Sequence, residues 1–207
     1  MAFLVLLMVL CPPGSKAMLA LPAYFNQAMS CSLQSVTPIY IPSLPNEHFK
    51  PSLQGARQYL EKDLQREIRM ITLVTPSNPT GTVYTPEELL EWYNLAKEFK
   101  VALILDETYR DFVGDDRSSA PHNLFELDGW GETLISIGSM SSKSHTKLKT
   151  LLRIEGYRIP GHRLGSIIAS PELLEQVTTV ADCMQVSPLI LSGSIANGRS
   201  ALLGHLN

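Results

Sequence analysis

The sequence is poor in cysteine and carries no recognisable set of metal-binding residues. Its three cysteines, Cys11, Cys31 and Cys183, are widely spaced, and neither they nor the five histidines form a metal or redox motif. Secreted domains that depend on disulfides carry far more cysteines in spaced pairs. We therefore expect no disulfide framework and no metal site, and the cysteine usage indicates a reduced, cytoplasmic setting.

Long basic runs and long apolar runs are also missing. The formal net charge is -3, and no basic run is interleaved with aromatic residues, so we expect no nucleic-acid partner. The apolar start of the chain, residues 1–11, is too short to span a bilayer and lacks the basic residues that open a secretory signal. A signal peptide and an internal buried helix are the two interpretations of this start. We favour the buried helix and expect no membrane association.

Strand and helix patterns alternate regularly along the rest of the chain. With 207 residues, the protein is long enough for one good hydrophobic core. Short apolar runs alternate with amphipathic segments, which predicts an α/β fold with a mostly parallel sheet and helices on both faces. The expected helices are at residues 24–34, 52–66 and 189–203. The first carries Phe25, Ala28, Met29 and Leu33 on one side.

One helix is marked especially clearly. Thr85 can act as its N-cap, Pro86 suits the first helical position, and Glu88 completes a capping box. Apolar residues then recur at helical spacing, namely Leu89, Trp92, Tyr93, Ala96 and Phe99. The apolar runs at 70–74 and 101–105 flank this helix and are too short to be helices. The segment is therefore predicted to be strand, helix, strand.

Two polar residues follow these two predicted strands. Asn78 lies in the turn sequence Asn-Pro-Thr-Gly after the first strand, and Asp106 ends the second. In parallel sheets, ligands bind just outside the carboxyl ends of the strands. We therefore expect Asn78 and Asp106 to lie at a common binding edge.

Four motifs in a fixed order carry a family resemblance. They are Asn-Pro-Thr-Gly from Asn78, Asp-Glu-Thr-Tyr from Asp106, Ser-x-Ser from Ser139 near a lysine, and Gly-x-Arg-x-Gly around Arg163. The order and spacing resemble the class I/II aminotransferases, pyridoxal-phosphate enzymes with the aspartate-aminotransferase fold. Each motif alone is weak, because the first is commonly only a turn and a strand-end Asp commonly caps an amide. The segment around Tyr24 extends the resemblance over nearly the whole chain.

The resemblance implies pyridoxal 5'-phosphate as cofactor and assigns residues to it. Asp106 would stabilise the protonated pyridine nitrogen, while Asn78 and Tyr109 would hydrogen-bond to the phenolic oxygen of the ring. Tyr24 would lie flat on the ring, with ordinary core packing as its alternative. The phosphate-binding positions correspond to Ser139, Ser141 and Arg163, for which a solvated surface arginine is the alternative at the last position.

The catalytic lysine departs from the family spacing. In the family, a lysine directly follows Ser-x-Ser, forms the Schiff base and moves a proton, and the arginine comes eight residues later. Here Ser142 follows the second serine, and Lys143 lies 20 residues before Arg163. Lys143 is the best Schiff-base candidate because it still follows the serines; Lys147 and Lys149 are poorer candidates.

We interpret residues 142–155 as an insertion and hypothesise that it is a retained intron. The codons AGT AAG for Ser142 and Lys143, followed by T, would contain the intron donor GTAAGT. An ATA codon followed by GAG for Glu155 would supply the acceptor AG. Removing the interval joins A to AG, a lysine codon, and restores the family spacing to Arg163.

The resemblance also implies that residues 1–207 are a partial cofactor-binding large domain. Family members are about twice as long, so the glycine-rich phosphate-binding turn before Ala2 and the C-terminal small domain are expected to be missing. The expected activity is amino-group transfer between an amino acid and a 2-oxo acid, with a homodimer if full length. The alternatives are an aminocyclopropane-carboxylate synthase, a carbon-sulfur lyase, or a catalytically inactive fragment.

Overall fold

The computed structural model describes residues 1–43, 48–110, 121–139, 165–184, 188–195 and 198–205. Five α-helices and eight strands lie in these ranges. The helices are α1 (Ala2–Leu10), α2 (Phe25–Leu33), α3 (Leu53–Lys62), α4 (Pro86–Phe99) and α5 (Pro171–Met184). The strands are β1 (Lys16–Ala20), β2 (Thr37–Ile41), β3 (Ile68–Val74), β4 (Ala102–Asp106), β5 (Leu134–Ser139), β6 (Gly165–Ile168), β7 (Pro188–Ile195) and β8 (Gly198–His205).

The described strands form one sheet in the order β2-β1-β3-β4-β5-β6-β8-β7. Neighbours from β2 to β5 pair in parallel, and the remaining pairs are antiparallel. One buried cluster joins α1, α2 and α5 to one face, and a second joins α3 and α4 to the other. The predicted α/β fold, with helices on both faces of a mostly parallel sheet, is confirmed.

The predicted unit of strand, helix and strand is β3, α4 and β4. The side chain of Thr85 accepts a hydrogen bond from the Glu88 amide, and the Glu88 carboxylate accepts one from the Thr85 amide, 2.7 Å away. The helix then buries Leu89, Trp92, Tyr93, Leu95 and Ala96. Its position is further fixed by Lys50, which forms an ion pair of 2.6 Å with the Glu88 carboxylate.

Removal of the Thr85 cap should lower stability measurably. We expect Thr85→Ala to reduce the free energy of unfolding by about 1 kcal/mol, because one amide at the start of α4 loses its acceptor. Urea unfolding followed by circular dichroism measures this change. Thr179→Ala on the exposed surface of α5 is the matched control, since its hydroxyl only returns a bond to the Glu175 carbonyl within the helix. Equal losses in both variants would contradict a capping role for Thr85.

The apolar start of the chain is a buried helix. Val5, Leu6 and Leu7 of α1 are almost inaccessible to solvent and belong to the same cluster as α5. The interpretation as a buried helix therefore describes its place in the fold. Among the described residues, no helix is both long enough and apolar enough to cross a bilayer.

The predicted helix at 189–203 is wrong. This segment belongs to β7 and β8, which pair in antiparallel fashion, and β8 extends the sheet from β6. The sequence has Asn197 followed by Gly198 here, and this dipeptide is more typical of turns than of helix interiors. Leucine-rich apolar runs do not distinguish a helix from a sheet strand by periodicity alone.

Two further helix predictions need correction. The helix predicted at 52–66 ends at Lys62, because the Asp63 carboxylate accepts a hydrogen bond from the Ile68 amide, 2.7 Å away, and draws the chain into β3. In α2, Phe25, Met29 and Leu33 are exposed, whereas Ala28, expected on the same side, is partly buried against the core. The small side chain of Cys31 takes the buried position against the core.

Candidate active site at the carboxyl edge of the sheet

The polar motif residues gather where the parallel strands end. Val74 of β3 is paired with Asp106 of β4, and Asp106 is paired with Ile137 of β5. The amide of Thr75 donates to the Asp106 carbonyl at 2.9 Å, which holds the ends of β3 and β4 together. Ser139 is the last residue of β5 and lies at the same edge.

The turn after β3 is rigidly closed. The Ser77 amide donates to the Thr82 carbonyl and the Gly81 amide donates to the Ser77 carbonyl, both at 2.8 Å. Gly81 has a φ of 73°, a left-handed value that a residue with a Cβ adopts only with strain. The Thr82 hydroxyl donates to the His48 carbonyl at 2.7 Å and so ties the turn to the preceding segment. Asn78 is therefore presented from a fixed loop.

Asn78 and Tyr109 meet across the gap between the two strand ends. Their side-chain amide and phenol oxygen are 3.4 Å apart, so the Asn78 amide donates a long hydrogen bond to Tyr109. A single acceptor placed between these two groups could receive hydrogen bonds from both.

Asp106 is oriented by the residue two positions later. Its Oδ1 atom accepts hydrogen bonds from the Thr108 amide at 3.1 Å and the Thr108 hydroxyl at 2.6 Å. Burial raises the pKa of Asp106 above its ordinary value, because desolvation outweighs these two hydrogen bonds. The neighbouring Glu107 carboxylate raises it further, and the positive chain terminus opposes the rise. Ionised Asp106 would therefore be stabilised by a cation placed nearby.

Tyr24 lies beyond the end of β1, at the start of α2. It is only partly buried, its ring centroid is 4.8 Å from that of Phe25, and its hydroxyl accepts a hydrogen bond from the Asn26 amide at 3.1 Å. These contacts are all local, so they do not join Tyr24 to Asn78 or Asp106. Its predicted role beside a cofactor ring stays a prediction.

Three predicted site residues lie outside the described residues. They are Ser141, Lys143 and Arg163. The alternative lysines, Lys147 and Lys149, and the whole interpreted insertion 142–155 lie there as well. The described part of the site therefore consists of Tyr24, Asn78, Asp106, Tyr109 and Ser139.

The sequence profile of the family described as aminotransferase class I and II matches residues 2–198. The chain belongs to this family. The match spans β1 to β7, the turn and the site residues described above.

Relatives with known names include aminotransferases of several kinds. The chain is 26% identical over 176 residues to an aspartate aminotransferase of Sulfurisphaera tokodaii, covering 85% of this chain and 40% of that protein. It is 26% identical over 161 residues to an LL-diaminopimelate aminotransferase of Phocaeicola vulgatus, covering 69% and 36%. The solved aromatic aminotransferase of Pyrococcus horikoshii matches with a TM-score of 0.67 at 25% identity, covering 86% of this chain and 43% of that one. The chain thus spans about 40% of the length of these relatives.

Asp106 fits the cationic ring nitrogen of pyridoxal phosphate, the cofactor that membership of this family implies. A carboxylate that burial makes costly to ionise gains from a protonated pyridine beside it. Within the described ranges, both hydrogen bonds to its carboxylate reach Oδ1 and none reaches Oδ2. Together with the Asn78 and Tyr109 pair, the donor and acceptor chemistry suits the ring of this cofactor.

The sequence analysis missed a second buried acid beside the site. Glu107 is 1% exposed, and three side chains surround it: His122, Ser136 and Arg110. Alternation along β4 could have placed Glu107 on the opposite face from Asp106. Nothing in the spacing links it to His122, which comes from a separate connection between β4 and β5.

Proposed function

We propose that this chain carries the cofactor-binding part of an aminotransferase that exchanges an amino group between an amino acid and a 2-oxo acid. The observation that supports this most directly is Asp106, a desolvated carboxylate at the end of β4, beside the Asn78 and Tyr109 pair. Membership of the aminotransferase family supports the reaction type.

In this proposal, bound pyridoxal phosphate supplies an electron sink that stabilises negative charge at the substrate's α-carbon. Asp106 holds a proton on the pyridine nitrogen, which keeps the ring electron-poor. Asn78 and Tyr109 would donate hydrogen bonds to the phenolic oxygen, and Tyr24 would pack against the ring. Lys143 would hold the cofactor and move a proton at the α-carbon. The phosphate group is assigned to Ser139, Ser141 and Arg163.

The wider assignments follow from the same proposal. The substrates are an amino acid and a 2-oxo acid, and the setting is cytoplasmic. We propose that the full-length protein is a homodimer. The competing proposal is that the chain is catalytically inactive; it covers 40% of the length of the Sulfurisphaera tokodaii aspartate aminotransferase.

Attachment of the cofactor to one lysine tests the proposal. We expect the purified chain mixed with pyridoxal phosphate to gain visible absorbance, and borohydride reduction to fix the cofactor on Lys143, as read by peptide mass spectrometry. Lys143→Ala should lose both signals, whereas Lys147→Ala and Lys149→Ala, the nearby controls, should keep them. No specific attachment in the parent chain would favour the inactive fragment. Attachment to Lys147 or Lys149 would show that Lys143 is not the attachment site, but it would leave the proposed function intact.

The interpreted insertion has a separate test. We propose that 142–155 is translated intron sequence. This interval contains Lys143, which therefore lies 20 positions before Arg163 instead of the eight typical of the family. Sequencing of transcripts should find messages in which a single lysine codon replaces this interval. If every message carries the codons for 142–155, the intron hypothesis is wrong.

A further inference from the structure

Glu107 lies on the opposite face of the sheet from the candidate site. Ile104 of β4 belongs to the core cluster of α1, whereas Leu103 and Leu105 belong to the cluster of α4. Because side chains alternate along a strand, Asp106 lies on the same face as Ile104, which packs against α1. Glu107 lies on the face of Leu105, which packs against α4. The amide of Glu107 donates to the Ile137 carbonyl at 2.8 Å, so the strand geometry continues through this residue.

Three groups surround the Glu107 carboxylate on that face. The hydroxyl of Ser136 donates to Oε2, and Nη1 of Arg110 lies 3.8 Å from the same oxygen. Nε2 of His122 lies 3.4 Å from Oε1. Burial raises the pKa of Glu107, but the contacts with His122, Arg110 and Ser136 outweigh it and hold the pKa below its ordinary value. The carboxylate is therefore buried in its ionised form.

His122 is fixed in one orientation toward Glu107. Its Nδ1 atom accepts a hydrogen bond from the Leu124 amide at 3.3 Å, which leaves Nε2 as the protonated nitrogen of the neutral ring. Its ring also lies against Phe125, with centroids 5.4 Å apart. Within the described part of the chain, Glu107 Oε1 and His122 Nε2 have no hydrogen-bond partner other than this long mutual contact.

The backbone of Glu107 belongs to the turn that carries the site residues. Its carbonyl accepts a hydrogen bond from the Arg110 amide at 3.0 Å, which closes residues 107–110. Asp106 is bonded directly to this turn and Tyr109 lies within it, so a shift of the turn would move Tyr109 and strain the peptide that joins Asp106 to Glu107. The Glu107 side chain is therefore anchored on one face of the sheet, while its backbone adjoins two groups at the edge of the sheet.

We propose that Glu107 is a positioning residue whose carboxylate, held by Ser136 and His122, fixes the turn that presents Asp106 and Tyr109. The effect on cofactor binding rests on the proposed function, whereas the effect on the turn does not. A purely structural buried acid would stabilise the whole fold evenly. A positioning residue instead stabilises the turn 107–110 more than the strands around it.

Amide hydrogen exchange in the cofactor-free full chain separates these two cases. We expect Glu107→Gln, which keeps the side-chain length but removes the charge, to speed exchange at Thr108 and Arg110. The increase should be roughly 10-fold beyond any change at the β3 amides, which report on global opening. Ser136→Ala should also speed exchange at Thr108 and Arg110, but by a smaller factor. It provides the test if Glu107→Gln fails to fold. Thr72→Val, a buried change on β3 away from the turn, is the control and should show no local increase.

Cofactor affinity gives the second readout. We expect the dissociation constant for pyridoxal phosphate to rise roughly 10-fold in Glu107→Gln. This is the size of effect typical of residues that orient the groups in contact with a ligand without touching it themselves. Unchanged exchange at Thr108 and Arg110 relative to β3 would overturn the proposal, as would faster local exchange with unchanged affinity in a chain that binds the cofactor. If the parent chain binds no cofactor, the proposed function fails, and local exchange alone decides the role of Glu107 in the turn.

Discussion

Asp106→Asn is expected to weaken pyridoxal-phosphate binding while making the cofactor-free chain more stable. Loss of one member of a buried ion pair typically costs 3–5 kcal/mol, so the dissociation constant should rise by roughly 100-fold or more. The cofactor-free chain should respond in the opposite direction, because burial makes the Asp106 charge unfavourable when no cation is bound. Equilibrium titration with the cofactor and urea unfolding without it measure the two effects.

The gain in stability should depend on pH in a defined way. The folded-state pKa of Asp106 is raised above the ordinary value of 3.8, so the folded chain resists ionisation more than the unfolded chain does. The destabilisation caused by ionised Asp106 is complete above the raised pKa. It disappears as the pH falls below 3.8, where Asp106 is protonated in both the folded and the unfolded chain. Asp106→Asn should therefore be more stable than the parent at neutral pH and equal to it in strong acid.

An exposed aspartate provides the control for this prediction. Asp182→Asn makes the same chemical change on the exposed surface of α5 and should alter neither affinity nor stability by more than about 0.5 kcal/mol. If Asp106→Asn binds the cofactor as tightly as the parent, Asp106 does not hold the pyridine nitrogen. If it is less stable without cofactor at neutral pH, the burial penalty is not the dominant effect at this position.

The second large effect is expected in the core beneath α4. Leu89 is 1% exposed and packs in the cluster that includes Leu73 and Leu105 of the two central strands. Leu89→Ala should lower the free energy of unfolding by about 2–5 kcal/mol, because it removes buried methyl groups and leaves a cavity. This is a large share of the roughly 5–15 kcal/mol that stabilises a typical domain.

The next residue supplies a matched control for this core substitution. Leu90 carries the same side chain on the same helix but is 37% exposed. Leu90→Ala should cost less than about 1 kcal/mol, since most surface changes are small. Urea unfolding of both variants, with unchanged slopes against denaturant, measures the difference. Similar losses in the two variants would mean that α4 does not bury its Leu89 side as the structure describes.

The parts of the fold with strong local signals were predictable from sequence. The Thr85 cap, the proline after it and the helical spacing from Leu89 identify α4 without any distant contact. The strands of residues 188–195 and 198–205 were missed because their state depends on pairing with β6, a partner far away in sequence. The side of α2 that faces the core likewise depends on its packing against α1, which the apolar residues of α2 do not reveal by themselves.

The candidate site likewise contains residues that could be located from the sequence and one that could not. Asn78 and Asp106 could be located because each follows a recognisable strand, and their motifs are continuous in sequence. Glu107 was overlooked although it adjoins Asp106, because its partners come from β5 and from the segment containing His122. Motif spacing identifies residues that contact a ligand, but a residue that acts from the opposite face needs the register of neighbouring strands.

The packing of α1 against α5 has a consequence for synthesis of the chain on the ribosome. Val5, Leu6 and Leu7 share their core cluster with Leu174 and other residues of α5, which follows about 160 residues later. At the usual synthesis rate of roughly 5–20 residues per second, α5 emerges about 10–30 s after α1. During that interval the first helix cannot bury its apolar surface fully. Completion of this half of the core is therefore expected to be among the last events of folding, and the nascent chain is expected to bind chaperones through its first ten residues.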